Sequence, residues 1–268
     1  MRKFFFISLV ILTVISLLTV AFFSRRSQEQ ALYEQAMAAL DENLPGAAVE
    51  YLTTFLVKYP ESELYPDALH QRATIFYLYQ ARYVEAISDL RELLNKYPSN
   101  RHAFDARRTI AEILRTKVHD CRRAIVEYQR LIDDFETVVD DDLYQYRIAG
   151  CFYETLNFEQ SKLEFYKLIN NYPASQYVDD AYYQIANILQ TQGALENAQR
   201  AYQLYLARYP DGEFSINAKF NLAATLEEME NLEEALRMYQ EVFDEYPNKE
   251  AVSWRIEKVA RRIENRGR

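Results

Sequence analysis

The sequence predicts an all-α solenoid, a linear stack of helix–turn–helix repeats with an apolar helix in front and an amphipathic helix behind. Three observations carry this. An aromatic residue recurs at Tyr59, Tyr97, Phe135, Tyr172, Tyr209 and Tyr246, at intervals of 38, 38, 37, 37 and 37 residues. Proline follows it at Pro60, Pro98, Pro173, Pro210 and Pro247, with Glu136 in its place in the third repeat. The 268 residues include only 5 Gly and 7 Pro against 22 Tyr and 15 Phe, and long stretches rich in Ala, Leu, Glu, Gln and Arg favour helix. With 49% hydrophobic residues, a sizeable core is available and disorder is a poor reading.

The first segment, residues 1–26, reads as a signal-anchor or transmembrane helix. Phe4 to Phe23 is a run of twenty uncharged residues between Arg2-Lys3 and Arg25-Arg26, and twenty helical residues cover a bilayer core of about 30 Å. The short basic start suits an N-inside orientation, which leaves the bulk of the chain outside the cytoplasm. Thr19-Val20-Ala21 offers a cleavage site, so a cleaved periplasmic form is the alternative.

Residues 27–248 hold the six repeats. Proline cannot continue a helix, so each aromatic-proline mark closes one. In the helix before it, a small residue (Ala48, Ala86, Ala124, Ser161, Ala198, Ala235) precedes a large one (Leu52, Leu90, Tyr128, Phe165, Tyr202, Tyr239) by four residues. This spacing puts both on one face, where the small residue admits a neighbouring helix and the large one fills the adjacent gap. A second small or short site falls in the first helix of each repeat, at Ala36, Thr74, Ala149, Ala186 and Ala223, with Glu112 as the exception. Turns are marked by Asn43-Leu-Pro-Gly46, Gln192-Gly193 and Glu230-Asn231. Residues 249–268 read as a capping helix carrying Ala251, Trp254, Val259 and Ile263 among polar residues, since a terminal repeat must cover its apolar end.

This pattern of small, aromatic and terminal proline positions resembles the tetratricopeptide repeat, from Glu29 to Pro247. Units of 37 to 38 residues that close on Tyr-Pro, as at Tyr97-Pro98-Ser99, resemble the bacterial envelope subgroup that includes the BamD lipoproteins and the YbgF/CpoB coordinators. The resemblance implies a right-handed superhelical solenoid and a binding protein rather than an enzyme.

Composition and motifs point the same way. The net charge of −9 gives a surface that repels phosphate backbones, which disfavours nucleic acid as a partner. No glycine-rich phosphate loop, serine elbow or HExxH stretch occurs, so no catalytic residue, cofactor or metal is expected. His70, His102 and His119 fall in different repeats and read as surface positions. The acidic stretch Asp133 to Asp142 lacks the glycine and closing glutamate of a calcium loop and reads as a solvated face.

Cys121 and Cys151 stand at repeat positions that are otherwise mostly apolar, where the stack can bring them together. Two readings stay open: a disulfide closing about 30 residues, worth on the order of 3 to 4 kcal/mol, or two buried thiols.

In the resembled family the first helices line the binding face. Three rows follow at i, i+4 and i+7: Tyr33, Gln71, Thr109, Tyr146, Tyr183 and Phe220; Met37, Ile75, Ile113, Gly150, Asn187 and Ala224; and Leu40, Leu78, Thr116, Tyr153, Gln190 and Glu227. Aromatic rings bury area and amides hold main-chain groups, so a protein-binding groove is expected at Tyr146, Arg147, Tyr153, Tyr183, Gln184, Asn187, Phe220 and Asn221. The competing reading is that these rings pack against neighbouring helices. Functionally, the expectation is an envelope scaffold that binds assembly or division proteins. The alternatives are a chaperone-like module that receives unfolded segments near a translocation pore, and self-association through an end or the convex face.

Overall fold

The computed structural model describes residues 24–135 and 140–266, and they are helical almost throughout. Helix α1 covers 24–41. It is followed by α2 (Pro45–Lys58), α3 (Tyr65–Leu78), α4 (Tyr83–Lys96), α5 (Ala103–Thr116), α6 (Cys121–Asp134) and α7 (Asp141–Glu154). Then come α8 (Phe158–Asn171), α9 (Val178–Thr191), α10 (Leu195–Arg208), α11 (Ser215–Glu228), α12 (Leu232–Val242) and α13 (Lys249–Arg266). The apolar run Phe4 to Phe23 lies outside the described residues, among which no helix is long and apolar enough to cross a membrane.

The chain divides into two compact bodies, Met1–Asp120 and Cys121–Arg268, and the division falls inside the third repeat, between its two helices. Within each body every helix from α2 onward packs on the next, and in the second body α9 also meets α11. Repeats two, four, five and six are thus each a first helix and a second one packed beside it.

The second helices stop where the sequence places the stop. At Tyr59, Tyr97, Tyr172 and Tyr209 the backbone leaves the helical region, with φ between −128° and −135° and ψ between 56° and 63°, and each amide still donates to the carbonyl four residues back. The proline that follows has no N–H to extend the ladder. At the turns between first and second helices one residue is left-handed: Asn43, Ala81, His119, Leu156, Gly193 and Glu230. Only one of the six is glycine, so five side chains sit where an L residue is strained.

The small and large residues of the second helices form the core. Ala48, Ala86, Ala124, Ser161, Ala198 and Ala235 are all 0% exposed, and their large companions, from Leu52 to Tyr239, are buried with them. Ser161 keeps its hydroxyl satisfied there by donating to the Ala149 carbonyl at 2.9 Å.

In the first helices the structure corrects one register. Thr74 and Glu112 are only half-buried, and the fully buried small residues are their neighbours Ala73 and Ala111. The cause is a longer turn. After α1, α7, α9 and α11 the turn closes with an amide bonded five residues back, as Asn157 to Phe152 and Ala194 to Leu189. In repeats two and three it closes six back, Arg82 to Phe76 and Asp120 to Leu114. That extra residue also accounts for the two 38-residue intervals.

Helix α13 caps the second body by burying Val252 and Val259 and packing Ile256 and Ile263 on the core. Trp254, read as part of the apolar face, is 55% exposed instead. The cap is fixed by charge as well. Glu227 of α11, with its side chain 3% exposed, accepts from Lys258 at 2.7 Å, Arg255 at 3.0 Å and Arg262 at 3.1 Å.

Candidate functional site

The eight residues expected to form a groove lie on α7, α9 and α11, the first helices of repeats four to six. The structure joins four of them directly, Tyr183, Gln184, Asn187 and Asn221. Tyr146, the sixth residue of α7, donates its hydroxyl to Asp180 on α9 and stacks on Tyr177 with centroids 4.9 Å apart. Tyr183, the sixth residue of α9, stacks on Phe214 at 4.8 Å and receives a hydrogen bond from Asn221 on α11 at 3.1 Å. Phe220, the sixth residue of α11, stacks on Tyr246 at 4.4 Å. The reading that these rings pack against neighbouring helices therefore describes Tyr146, Tyr183 and Phe220. All three rings are half-buried, held by these stacks.

The amides complete the ladder. Gln184 donates to Asp180 at 2.9 Å, and Asn187 accepts from Tyr202 at 2.7 Å and from Asn221 at 3.1 Å. The Tyr202 hydroxyl also lies 2.8 Å from Gln190 Oε1, so one proton stands between two amide oxygens. Burial pushes the Tyr146 phenol above its ordinary value, and the hydrogen bond to Asp180 pushes it further. Burial likewise raises Tyr202 and Tyr183. All three stay neutral hydroxyls at physiological pH, able to donate and accept.

Arg147 and Tyr153 stand apart from this ladder. Arg147 occupies the repeat position of Gln184 and Asn221, but its Nε is buried with no hydrogen-bond partner. Tyr153 rests edge-on against Phe158 at 5.7 Å and is 36% exposed. Between them lies Gly150, where a methyl group would meet nothing within 4 Å. The first-helix face of repeat four is thus open over Gly150, with a guanidinium on one side and a phenol on the other.

Two features escaped the sequence reading, and a third point was left open by it. The stacking partners Tyr177 and Phe214 each stand five residues after a Tyr-Pro tyrosine, a recurrence visible in the sequence but not used. The structure also brings His70 and His102 together, although they were read as separate surface positions. The disulfide left open for Cys121 and Cys151 is not formed: both are buried thiols, and Cys121 Sγ donates to Glu154 Oε2 at 3.2 Å.

Paired helices repeating every 37 to 38 residues, with small residues buried at fixed positions, define a helical-repeat solenoid. The tetratricopeptide-repeat model matches residues 67–100, 144–175, 180–212 and 217–249, which are repeats two, four, five and six. The chain is a tetratricopeptide-repeat protein.

Solved structures of the same fold include a tetratricopeptide repeat protein from Parabacteroides merdae, 14% identical over 87% of this chain and 99% of that one, with a TM-score of 0.52. PilW, a type IV pilus biogenesis factor, is 14% identical over 87% of this chain and 98% of its own, with a TM-score of 0.50. YrrB, described as having an unusual peptide-binding site, is 16% identical over 75% and 96%, with a TM-score of 0.51. No curated protein sequence matches the chain.

Proposed function

We propose that this chain is a non-enzymatic scaffold of the bacterial cell envelope. In this reading Phe4 to Phe23 anchors it in the inner membrane, and the repeats bind other proteins on the periplasmic side. The fold supports a protein-interaction scaffold, and the closing Tyr-Pro pattern supports the envelope subgroup.

The observation that carries the binding site is the open face of repeat four. A half-buried guanidinium with an unpartnered Nε is costly unless a ligand group meets it. Gly150 leaves room for an approaching backbone, and Tyr153 offers exposed ring area. Gln184, Asn187 and Asn221 continue the face with amides held in place by their ladder, so a partner segment lying along it finds donors and acceptors already oriented.

The test is affinity capture of the full-length protein from its own detergent-solubilised membranes, beside a version beginning at Ser27 and beside Arg147→Ala and Gly150→Leu. A fixed set of envelope proteins that is lost from the last two variants supports the scaffold and its site. Capture of many unrelated unfolded clients would replace it with the chaperone-like module. An unchanged set with both variants would place the binding surface elsewhere.

A further inference from the structure

The sixth residue of a first helix stacks on an aromatic of the following connection in repeats four to six, through Tyr146–Tyr177, Tyr183–Phe214 and Phe220–Tyr246. In repeat two the same position is His70, the sixth residue of α3. Its partner is His102, which caps the start of α5 as Tyr177 and Phe214 precede α9 and α11. The two imidazoles lie parallel, 10° apart, with centroids at 4.2 Å. We propose that the His70–His102 stack is an acid-sensitive joint that holds α3 against α5 while His70 is neutral and loosens as His70 takes up a proton.

The surroundings favour a neutral His70. His70 Nδ1 is buried without a hydrogen-bond partner, so a proton there would enter a site that offers it no acceptor. His102 Nε2 lies 2.7 Å from Asp67 Oδ1, and Arg101 crowds both, at 3.2 Å from His102 Nε2 and 2.8 Å from Asp67 Oδ2. Asp67 is therefore already engaged by Arg101, and Asp105 at the start of α5 is engaged by Arg108 at 2.8 Å. From α1, Tyr33 faces Asp67 and Arg101 and carries no charge. The acids of α4 that meet α3 are occupied too, Asp89 with Arg72 and Glu92 with Tyr65 and Lys96. A proton on His70 would meet the nearby Arg101 guanidinium, while Asp67 and Asp105, the two carboxylates that favour it, are each paired with an arginine.

Burial holds His70 below the usual histidine range, and the neighbouring His102 lowers it further. A group whose folded value is depressed below the open one is stable in place while neutral. The joint therefore keeps its full strength above the ordinary value of 6.5 and loses it as pH falls from there through the folded value. The tyrosine and phenylalanine stacks of the other repeats have no charge to gain in this interval. Acid thus acts on one joint of the array rather than on all.

Hydrogen–deuterium exchange of α3 and α5, measured on the full chain at about pH 7.5 and about pH 5.5 and corrected for intrinsic exchange, tests this. One proton changes an opening equilibrium at most about tenfold per pH unit, so local opening should rise roughly three- to tenfold, with α9 and α11 as the internal reference. His70→Phe, which restores the aromatic stack of repeats four to six, should abolish the rise, and His70→Tyr serves where that variant fails to fold. An equal rise in the His70 variant, or none in the wild type, overturns the proposal.

Discussion

Glu227 and Lys258 meet at 2.7 Å across the boundary between the last repeat and its cap, with the Glu227 side chain 3% exposed and the lysine 37% exposed. The two are 31 residues apart, and Lys258 stands 37 residues after Asn221, at the position where the earlier first helices carry Gln184 and Arg147. The polar row that links repeats four to six therefore continues into α13. At its end the link changes from neutral amides to charge, because one buried carboxylate collects Arg255, Lys258, Arg262 and the Tyr239 hydroxyl.

Removing Glu227 should release the cap. Glu227→Ala would leave three cations clustered without their counter-ion, and breaking a buried pair in this way costs about 3 to 5 kcal/mol, reduced here to roughly 2 to 3 because the cations are about one third exposed. Urea denaturation followed through the single tryptophan, Trp254 on α13, should shift to lower midpoint. An unchanged midpoint would mean that Val252 and Val259 alone dock the helix.

The same carboxylate sets a pH dependence. Burial alone would raise Glu227, but Lys258, Arg255 and Tyr239 outweigh it and hold the group below its ordinary 4.5. A depressed folded value contributes stability that is present above 4.5 and lost as pH falls below it. Exchange protection of α13 should therefore fall with acid earlier in the wild type than in Glu227→Gln, whose weaker docking should be independent of pH in that interval.

The turns offer a stabilising substitution. Leu156 sits at φ 57° and is 72% exposed, so it strains the backbone without packing in return. Leu156→Gly should raise stability by about 1 kcal/mol, and Ala81→Gly by a similar amount. Gly193→Ala, at φ 71°, should lower it by about as much. Thermal midpoints of the three variants should move in these two opposite directions.

Gly212 is constrained by space rather than by φ. A methyl group there would lie 2.7 Å from the Tyr205 hydroxyl, 2.9 Å from Asp179 Oδ2 and 2.9 Å from Tyr209 Cβ. Tyr205 also receives the Phe214 amide at 3.2 Å, so moving it would disturb the entry to α11. Gly212→Ala should destabilise the chain by about 1 to 3 kcal/mol, read as a lower denaturation midpoint.

The periodic signal made the second helices legible residue by residue, because a small residue four before a large one has one meaning in a stack of helices. Ala48 to Ala235 are all buried as that rule requires. The first helices were harder to read. One extra residue in the turns of repeats two and three displaced the small site from Thr74 to Ala73 and from Glu112 to Ala111, and a count from the closing aromatic cannot see where an insertion falls. The same slip hid the equivalence of His70 with Tyr146 and Tyr183. The aromatic row was recognised and its partners were not, since Tyr177, Phe214 and Tyr246 come from connections and helix ends where periodicity gives no facing direction. The opening beside Arg147 could not be read in advance. It depends on what is missing around Gly150, and an empty volume leaves no mark in a sequence.

Gly150 separates stability from binding. It lies inside α7, where glycine costs about 0.5 to 1 kcal/mol relative to alanine, and a methyl group there meets nothing within 4 Å. Gly150→Ala should therefore raise the denaturation midpoint while leaving partner capture almost intact, because a methyl group only narrows the opening. Gly150→Leu should be at least as stable as the wild type and yet lose the partner, since its side chain fills the space between Arg147 and Tyr153. That combination distinguishes a binding face from a packing defect. If the leucine variant is stable and still captures the same proteins, the open face of repeat four is not where they bind.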